Sequence, residues 1–278
     1  KGVPLYVKTD AVTGFTGKAA ATDPAATCPF PAFSKAFNGV SWSLGGTFAI
    51  HNHVSVKANI AQGYRAPNIT ELASNGLDPG AHIIYIGNQN AVPELSLEED
   101  LGMDAAYKDL SASVSFFHNH IRHYIFLTEI TSASGTPLTD AQGNKTFQYQ
   151  QTAARLYGLE LHASLHPGGW TGFSWNNSFT LTYGDNTGSE FQGKGINGRY
   201  LPYIPPANYL SNITKVFNLQ SGLLRSVNLM AEVNYTARQN RYLGLYGTET
   251  ATPAYTLISI AAGGSVQYSR HHQLQIRL

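Results

Sequence analysis

From Leu223 to Tyr235 one set of alternate positions reads Leu223, Arg225, Val227, Leu229, Ala231, Val233 and Tyr235, and the other reads Leu224, Ser226, Asn228, Met230, Glu232 and Asn234. A period of two places the sets on opposite faces of a β-strand, one apolar and one wetted. Tyr157 to Leu165 repeats the pattern, with Tyr157, Leu159, Leu161, Ala163 and Leu165 set against Gly158, Glu160, His162 and Ser164. Similar alternation covers Val40 to Ile50, Val54 to Tyr64, Leu95 to Tyr107, Leu110 to Leu127, Trp170 to Tyr183, Asn208 to Phe217 and Tyr255 to Tyr268. With the shorter Gln273 to Leu278, the chain predicts about ten strands. Most have the length of strand that crosses a bilayer at a tilt.

The connections alternate between short and long. His51 to His53, Lys108-Asp109, His166 to Gly169, Asn218 to Gly222 and Ser269 to His271 read as tight turns. Between them lie polar segments rich in Gly, Asn, Thr and Pro: Ala66 to Glu94, Thr128 to Gln148, Gly184 to Pro206 and Thr236 to Pro253, with Thr9 to Gly39 in the position of a further one. Turns at one end and long loops at the other are the pattern of an outer-membrane β-barrel. Trp42, Tyr64, Tyr107, Trp170, Tyr183, Phe217, Tyr235, Tyr255 and Tyr268 fall near segment ends, where such a barrel carries aromatic girdles. A soluble all-β sandwich or propeller also has short alternating strands, but not this asymmetry of loop length.

Composition narrows the choice. Charged residues make up 13% of the chain, against ~25% in a soluble domain. Eighteen Lys and Arg against 17 Asp and Glu leave a net charge of +1, so no bulk field draws in nucleic acid. Cys28 is the one cysteine, which excludes an internal disulfide and any paired-cysteine metal or redox site. No apolar run approaches the ~20 residues of a membrane helix, and Lys1-Gly2-Val3-Pro4 does not begin a signal peptide. A membrane protein of this sequence spans with strands.

Two stretches carry a family resemblance. Gln62-Gly63-Tyr64-Arg65-Ala66-Pro67-Asn68-Ile69-Thr70-Glu71-Leu72, then Gly87-Asn88-Gln89-Asn90-Ala91-Val92-Pro93-Glu94-Leu95-Ser96 with Glu98, Glu99 and Asp100 following, resemble TonB-dependent outer-membrane receptors. Asn119 to Leu127, Ala154 to Glu160 and Leu201 to Pro206 fit the same rhythm. The resemblance implies an all-β fold, a partial antiparallel transmembrane β-barrel of about ten or eleven strands out of 22. Residues 1–278 would form the C-terminal portion of the barrel, with the plug domain and remaining strands outside this chain. An open sheet of this size would leave two edges in hydrocarbon, so the resemblance also makes the rest of the receptor an expected partner.

By parity Lys57, Glu98, Asp100, Glu160 and Glu232 face the lumen, together with Asp104, His162, Asn176 and Asn228; the resemblance assigns such residues to plug contact. It also implies that His82, in the interval where haem receptors of the family hold an axial histidine, is a candidate ligand contact, although Gln89 and Ala91-Val92 depart from the usual return motif. Tyr85, Tyr203 and Tyr246 are candidate substrate contacts in the outer vestibule. His118 and His120 share the parity of Leu110, Ala112, Val114 and Phe116 and read as interfacial unless a bulge intervenes. No Gly-x-Ser-x-Gly element is present, and Ser113 and Ser115 do not share a parity with His118, so no enzyme, resident metal or cofactor is expected.

The implied function is energy-coupled uptake across the outer membrane of a scarce metal complex, a ferric siderophore or haem. Its partners would be that small molecule, outer-membrane lipid and a TonB complex acting through the plug, with no nucleic acid. A passive porin-like or adhesin barrel, or a soluble all-β binding module, are the competing readings.

Overall fold

A computed structural model describes residues 5–9, 16–18, 22, 24, 27–30, 33–132, 136–192, 195–219, 222–244, 249–268 and 273–277. Inside the stretch Thr9 to Gly39, expected as a long connection, β2 (Thr16–Lys18) and β3 (Thr27–Phe30) flank β1 (Leu5–Thr9), which leads into it, in a three-stranded sheet of order β2-β1-β3. These strands are three to five residues long, too short for a period of two to stand out.

The second sheet holds twelve strands. Ten follow one another as antiparallel neighbours: β4 (Trp42–His51), β5 (Val54–Arg65), β8 (Glu94–Ala106), β9 (Leu110–Glu129), β10 (Lys145–Leu165), β11 (Phe173–Asn186), β12 (Asn208–Asn218), β13 (Leu224–Thr236), β14 (Tyr255–Gln267) and β15 (Gln273–Arg277). The sheet is open, with β4 and β15 at its ends. Two short strands sit within the first long loop, β6 (Asn75–Asp78) and β7 (Ile83–Ile86); β7 runs parallel to the loop end of β10, pairing Ile83 with Lys145. Three single-turn helices also lie in loops: α1 (Ile69–Ala73), α2 (Ser189–Gln192) and α3 (Ile196–Arg199).

Between bulges near the turn ends of β4 and β13 and one high on β9, register carries the two faces across the sheet. Asp100 pairs Asn59 and Phe117; Glu160 pairs Ser115 and Thr180; Glu232 pairs Asn212 and Ser259. The opposite face carries Leu44, Phe48, Leu101, Phe116, Leu161, Leu229 and Ile260, all exposed, Ile260 by 82%. Water would not tolerate so continuous an apolar surface. The packed core lies at the loop end: Ile121, Ala154 and Leu201 form one buried cluster, and Phe126, Phe191 and Leu243 another.

Turns at the other end are tied by local chemistry. Asp109 accepts backbone hydrogen bonds from His166 (2.7 Å) at its carbonyl and from Gly168 (3.1 Å) at its carboxylate. Gly172 adopts φ +73°, and a Cβ there would run into the carbonyl of Val216, so the entry to β11 demands glycine.

β9 and β10, 20 and 21 residues long, outrun their neighbours. Their register steps from Ile121↔Ala154 to Tyr124↔Thr152, which sets two residues of β9, Arg122 and His123, against Ala153 alone. His123 takes φ +59°. This bulge swaps the parity of β9 beyond it, turning Tyr124 and Phe126 to the face that Ile121 occupies below. His118 and His120 precede the bulge and stay on the apolar face.

Candidate binding site in the loop layer

The first long loop is fastened at its root by Arg65. Its Nη1 donates to both carboxylate oxygens of Glu71, at 2.8 and 3.0 Å, while Nε and Nη2 fork onto Glu94. Glu71 also closes a capping box on α1: Asn68 Oδ1 accepts from the Glu71 amide at 2.8 Å, and Glu71 Oε2 accepts from the Asn68 amide at 2.8 Å. Glu94 Oε1 accepts from the Ile125 amide at 2.6 Å, joining the loop to the free edge of β9 beyond the bulge. Gly87 then packs against the end of α1, where a Cβ would come within 2.6 Å of the Ala73 nitrogen. The loop returns through Gln151, whose amide brackets Val92 and reaches the His123 carbonyl.

Three tyrosines gather above this base. Tyr149 lies on the part of β10 that extends past the other strands; burial first, then the charges of Glu71 and Tyr85, push its phenol above the ordinary value. Tyr203, in a left-handed turn at φ +59°, is pushed up likewise, by the surrounding loop mass and then by Glu249 and Tyr85. Tyr85 contributes to both shifts, so its phenol lies within electrostatic range of Tyr149 and of Tyr203. Glu249 fixes Tyr203 by accepting from its amide at 2.7 Å and also accepts from Leu243 at 2.9 Å.

His82 stands exposed at the tip between β6 and β7, at φ +56°, with Nδ1 3.3 Å from Asn144 Oδ1. Donation from Nδ1 leaves Nε2 as the lone-pair nitrogen. Tyr246 lies outside the described residues. Among the described residues no group of three or more His, Cys, Asp or Glu gathers as a metal site.

The wetted face holds Lys57, Glu98, Asp100, Glu160 and Glu232 together. Lys57 pairs with Asp104 at 2.8 Å, Asn119 donates to Glu98 at 2.6 Å, Asn59 to Asp100 at 3.1 Å and Asn212 to Glu232 at 3.2 Å; Glu160 is exposed on the same face. Sequence reasoning missed the clamp of Arg65, Glu71 and Glu94 and the place of Tyr149. The spacing of Asn68 and Glu71, a capping-box signature, was the available signal for the first; Tyr149 carried none.

A family model described as TonB dependent receptor-like, beta-barrel, matches residues 7–278. The iron-regulated outer membrane virulence protein of Vibrio cholerae serotype O1 is 26% identical over 208 residues, which cover 73% of this chain and 30% of that protein. Among solved structures, the copper transporter OprC superposes with a TM-score of 0.62 at 18% identity over 84% of this chain and 32% of its own. The siderophore receptor PirA from Acinetobacter baumannii gives 0.55 at 19% identity, over 85% and 36%. The chain thus spans about a third of the length of the proteins it matches.

Proposed function

Since this chain belongs to the TonB dependent receptor-like β-barrel family, whose place is the outer membrane, we propose that it forms the C-terminal part of a receptor for a scarce metal complex, with a ferric siderophore as the cargo. The remaining strands and the plug would come from outside this sequence, closing the sheet at β4 and β15. The observation that carries the cargo is the neighbourhood of Tyr85, Tyr149 and Tyr203, held on a loop floor that Arg65 locks. A siderophore satisfies its iron internally, so what it asks of a receptor is aromatic and polar loop surface, which phenols at the loop end supply. The solved neighbours include a siderophore receptor and ferric enterobactin receptors. Energy coupling would act through the plug, whose contacts fall to Lys57, Glu98, Asp100, Glu160 and Glu232.

One observation favours haem as a second reading: the exposed His82 with Nε2 presented as a lone pair, the form that binds haem iron. Binding and growth of the complete receptor on both cargoes separate the two. Tyr85→Ala with Tyr203→Ala is expected to weaken ferric siderophore binding about tenfold or more, while His82→Ala leaves it unchanged. A haem Soret shift abolished by His82→Ala, with the tyrosine variants silent, transfers the assignment to haem. If none of the substitutions alters either ligand, the loop site is wrong.

A further inference from the structure

We propose that the outer rim of the apolar face carries a docking site for the phosphate of a membrane glycolipid, built from Arg155, Arg199 and Arg241. The inference rests on the membrane-barrel reading above.

Three guanidiniums converge on one carboxylate. Arg155 Nη2 donates to Asp185 Oδ2 at 2.9 Å, and the Tyr157 hydroxyl donates to the same oxygen at 3.3 Å. Arg241 Nη2 and Arg199 Nε stand 3.8 and 3.9 Å from Oδ1, beyond hydrogen-bonding range. Asp185 is buried to 4% exposure, whereas the side chains of Arg155 and Arg199 remain 41% and 57% exposed. One negative charge therefore faces three positive ones. Nε of Arg155 and Nε of Arg241 are buried donors without an acceptor, and Asp185 Oδ1 has no donor at hydrogen-bonding distance. These buried atoms leave the cluster incompletely satisfied within the protein, and the exposed parts of the Arg155 and Arg199 side chains are what an anion outside can reach.

Aromatic rings hold the guanidiniums in place. Arg241 lies 3.8 Å over the Tyr183 ring and 5.0 Å over Tyr200; Arg155 lies 5.2 Å over Tyr157, and Arg199 5.6 Å over Tyr200. The Tyr183 ring covers Arg241 at contact distance while Arg155 and Arg199 are held at cation–π range, and guanidinium edges have the fork geometry that matches phosphate. A hollow of about 140 Å³ opens beside Arg241, bounded by Tyr183, Arg238 and Gln239.

Position identifies the occupant. On β10 Arg155 continues the row Leu165, Ala163, Leu161, Leu159, Tyr157, and on β11 Asp185 continues Trp175, Asn177, Phe179, Leu181, Tyr183. Ten residues at ~3.3 Å each and ~40° tilt rise about 25 Å, the height of a barrel's apolar band. The cluster thus sits on the lipid-side parity at the level where headgroups begin, with the Tyr157 and Tyr183 rings in contact just below, 5.5 Å apart. A phosphate monoester carries about −1.5 to −2 charges, which balances the excess of positive charge; a zwitterionic headgroup does not. On β9 His120 pairs directly with Arg155 and extends the same row, while Glu99, the acidic group on the neighbouring β8, is engaged by His118 at 3.3 Å.

Native mass spectrometry of the complete receptor tests the proposal with four probes: diphosphorylated lipid A, its monophosphoryl form, phosphatidylethanolamine and inorganic phosphate. Wild type is expected to retain diphosphorylated lipid A over phosphatidylethanolamine, with inorganic phosphate a poor competitor. Arg199→Gln with Arg241→Gln leaves the Arg155–Asp185 pair intact and should lower retention at least tenfold, one lost charge-assisted hydrogen bond being worth about that much. The corresponding Lys variants should lose less, and Arg225→Gln, an exposed arginine in the bulge at the turn end of β13, nothing. Equal lipid A retention by wild type and the double Gln variant overturns the proposal, as does displacement by inorganic phosphate as effective as by lipid. Failure of the complete protein to insert into vesicles at all would instead strike at the barrel reading.

Discussion

Replacing Arg65 by Gln should loosen the loop floor without unfolding the sheet. The substitution removes four charge-assisted hydrogen bonds and leaves two carboxylates whose side chains are only 10% and 13% exposed. Stripping one partner from a buried pair costs about 3–5 kcal/mol. Arg65 itself is 44% exposed, so solvent screens part of that interaction, and each carboxylate keeps one backbone donor, from Asn68 and Ile125. A cost of about 2 kcal/mol remains, which corresponds to roughly 30-fold faster local opening. Hydrogen exchange on the complete receptor reads it at Leu72, Ser74, Gly87 and Asn88, whose amides are bonded within the clamped unit. Arg65→Lys keeps the charge but loses the fork, and should fall between. Amides of β12 and β13 should not change. Unchanged exchange at the four loop amides in Arg65→Gln would refute the clamp, and uniform acceleration across the sheet would refute its local character.

Leu229, 47% exposed on the apolar face, should cost ~2–4 kcal/mol of barrel stability when replaced by Arg near the bilayer midplane, against far less for Asn228→Arg; equal losses in lipid vesicles would reverse the faces. Cysteines placed at the exposed Asn75 and Gly168 should differ in intact cells, only the former reacting with an impermeant thiol reagent, and equal labelling would contradict the loop-out orientation. Gly87→Ala forces a Cβ onto the backbone of Leu72 and Ala73 and should raise protease sensitivity in 75–86 while leaving β12 and β13 protected. Asp140 is held below the ordinary carboxylate value, chiefly by the Asn144 side chain and then by backbone amides. The turn at 140–144 is therefore supported above the unfolded carboxylate range and should loosen as pH falls through it, seen as faster exchange at Gln142 and Asn144; acceleration with rising pH beyond the intrinsic rate would show the sign to be wrong.

The nine strands of ten residues or more were legible because the wetted and apolar sets keep one period over most of a bilayer's thickness, as in Ser226 to Tyr235. The layer above was not. β6 and β7 are four residues each, and β7 gains its place from a parallel pairing with β10 rather than from its own pattern. β9 was read almost in full, Leu110 to Leu127 against Leu110–Glu129, but without the change of face at Arg122 and His123; β10 was read short, Tyr157 to Leu165 against Lys145–Leu165. Tyr85 and Tyr203 were named from their loops, but Tyr149 lies in the part of β10 that sequence alone leaves between the loop ending at Gln148 and the strand starting at Tyr157. Likewise Asp185 gathers Arg155, Arg199 and Arg241 from three separate segments, and nothing in their spacing announces it.

The extra residue of β9 works as a phase shifter in a two-letter code. Below it, the inward or outward aim of every side chain is dictated by the solvent on each side; above it, the same ribbon restarts the count with the opposite assignment. Mutations in the upper ribbon are thereby insulated from the constraint that governs the lower one, since Tyr124 and Phe126 answer to the packing of Phe191 and Leu243 and not to hydrocarbon. One continuous strand can thus hold a hydrocarbon-facing wall and a separately packed loop layer, with a single left-handed histidine as the join.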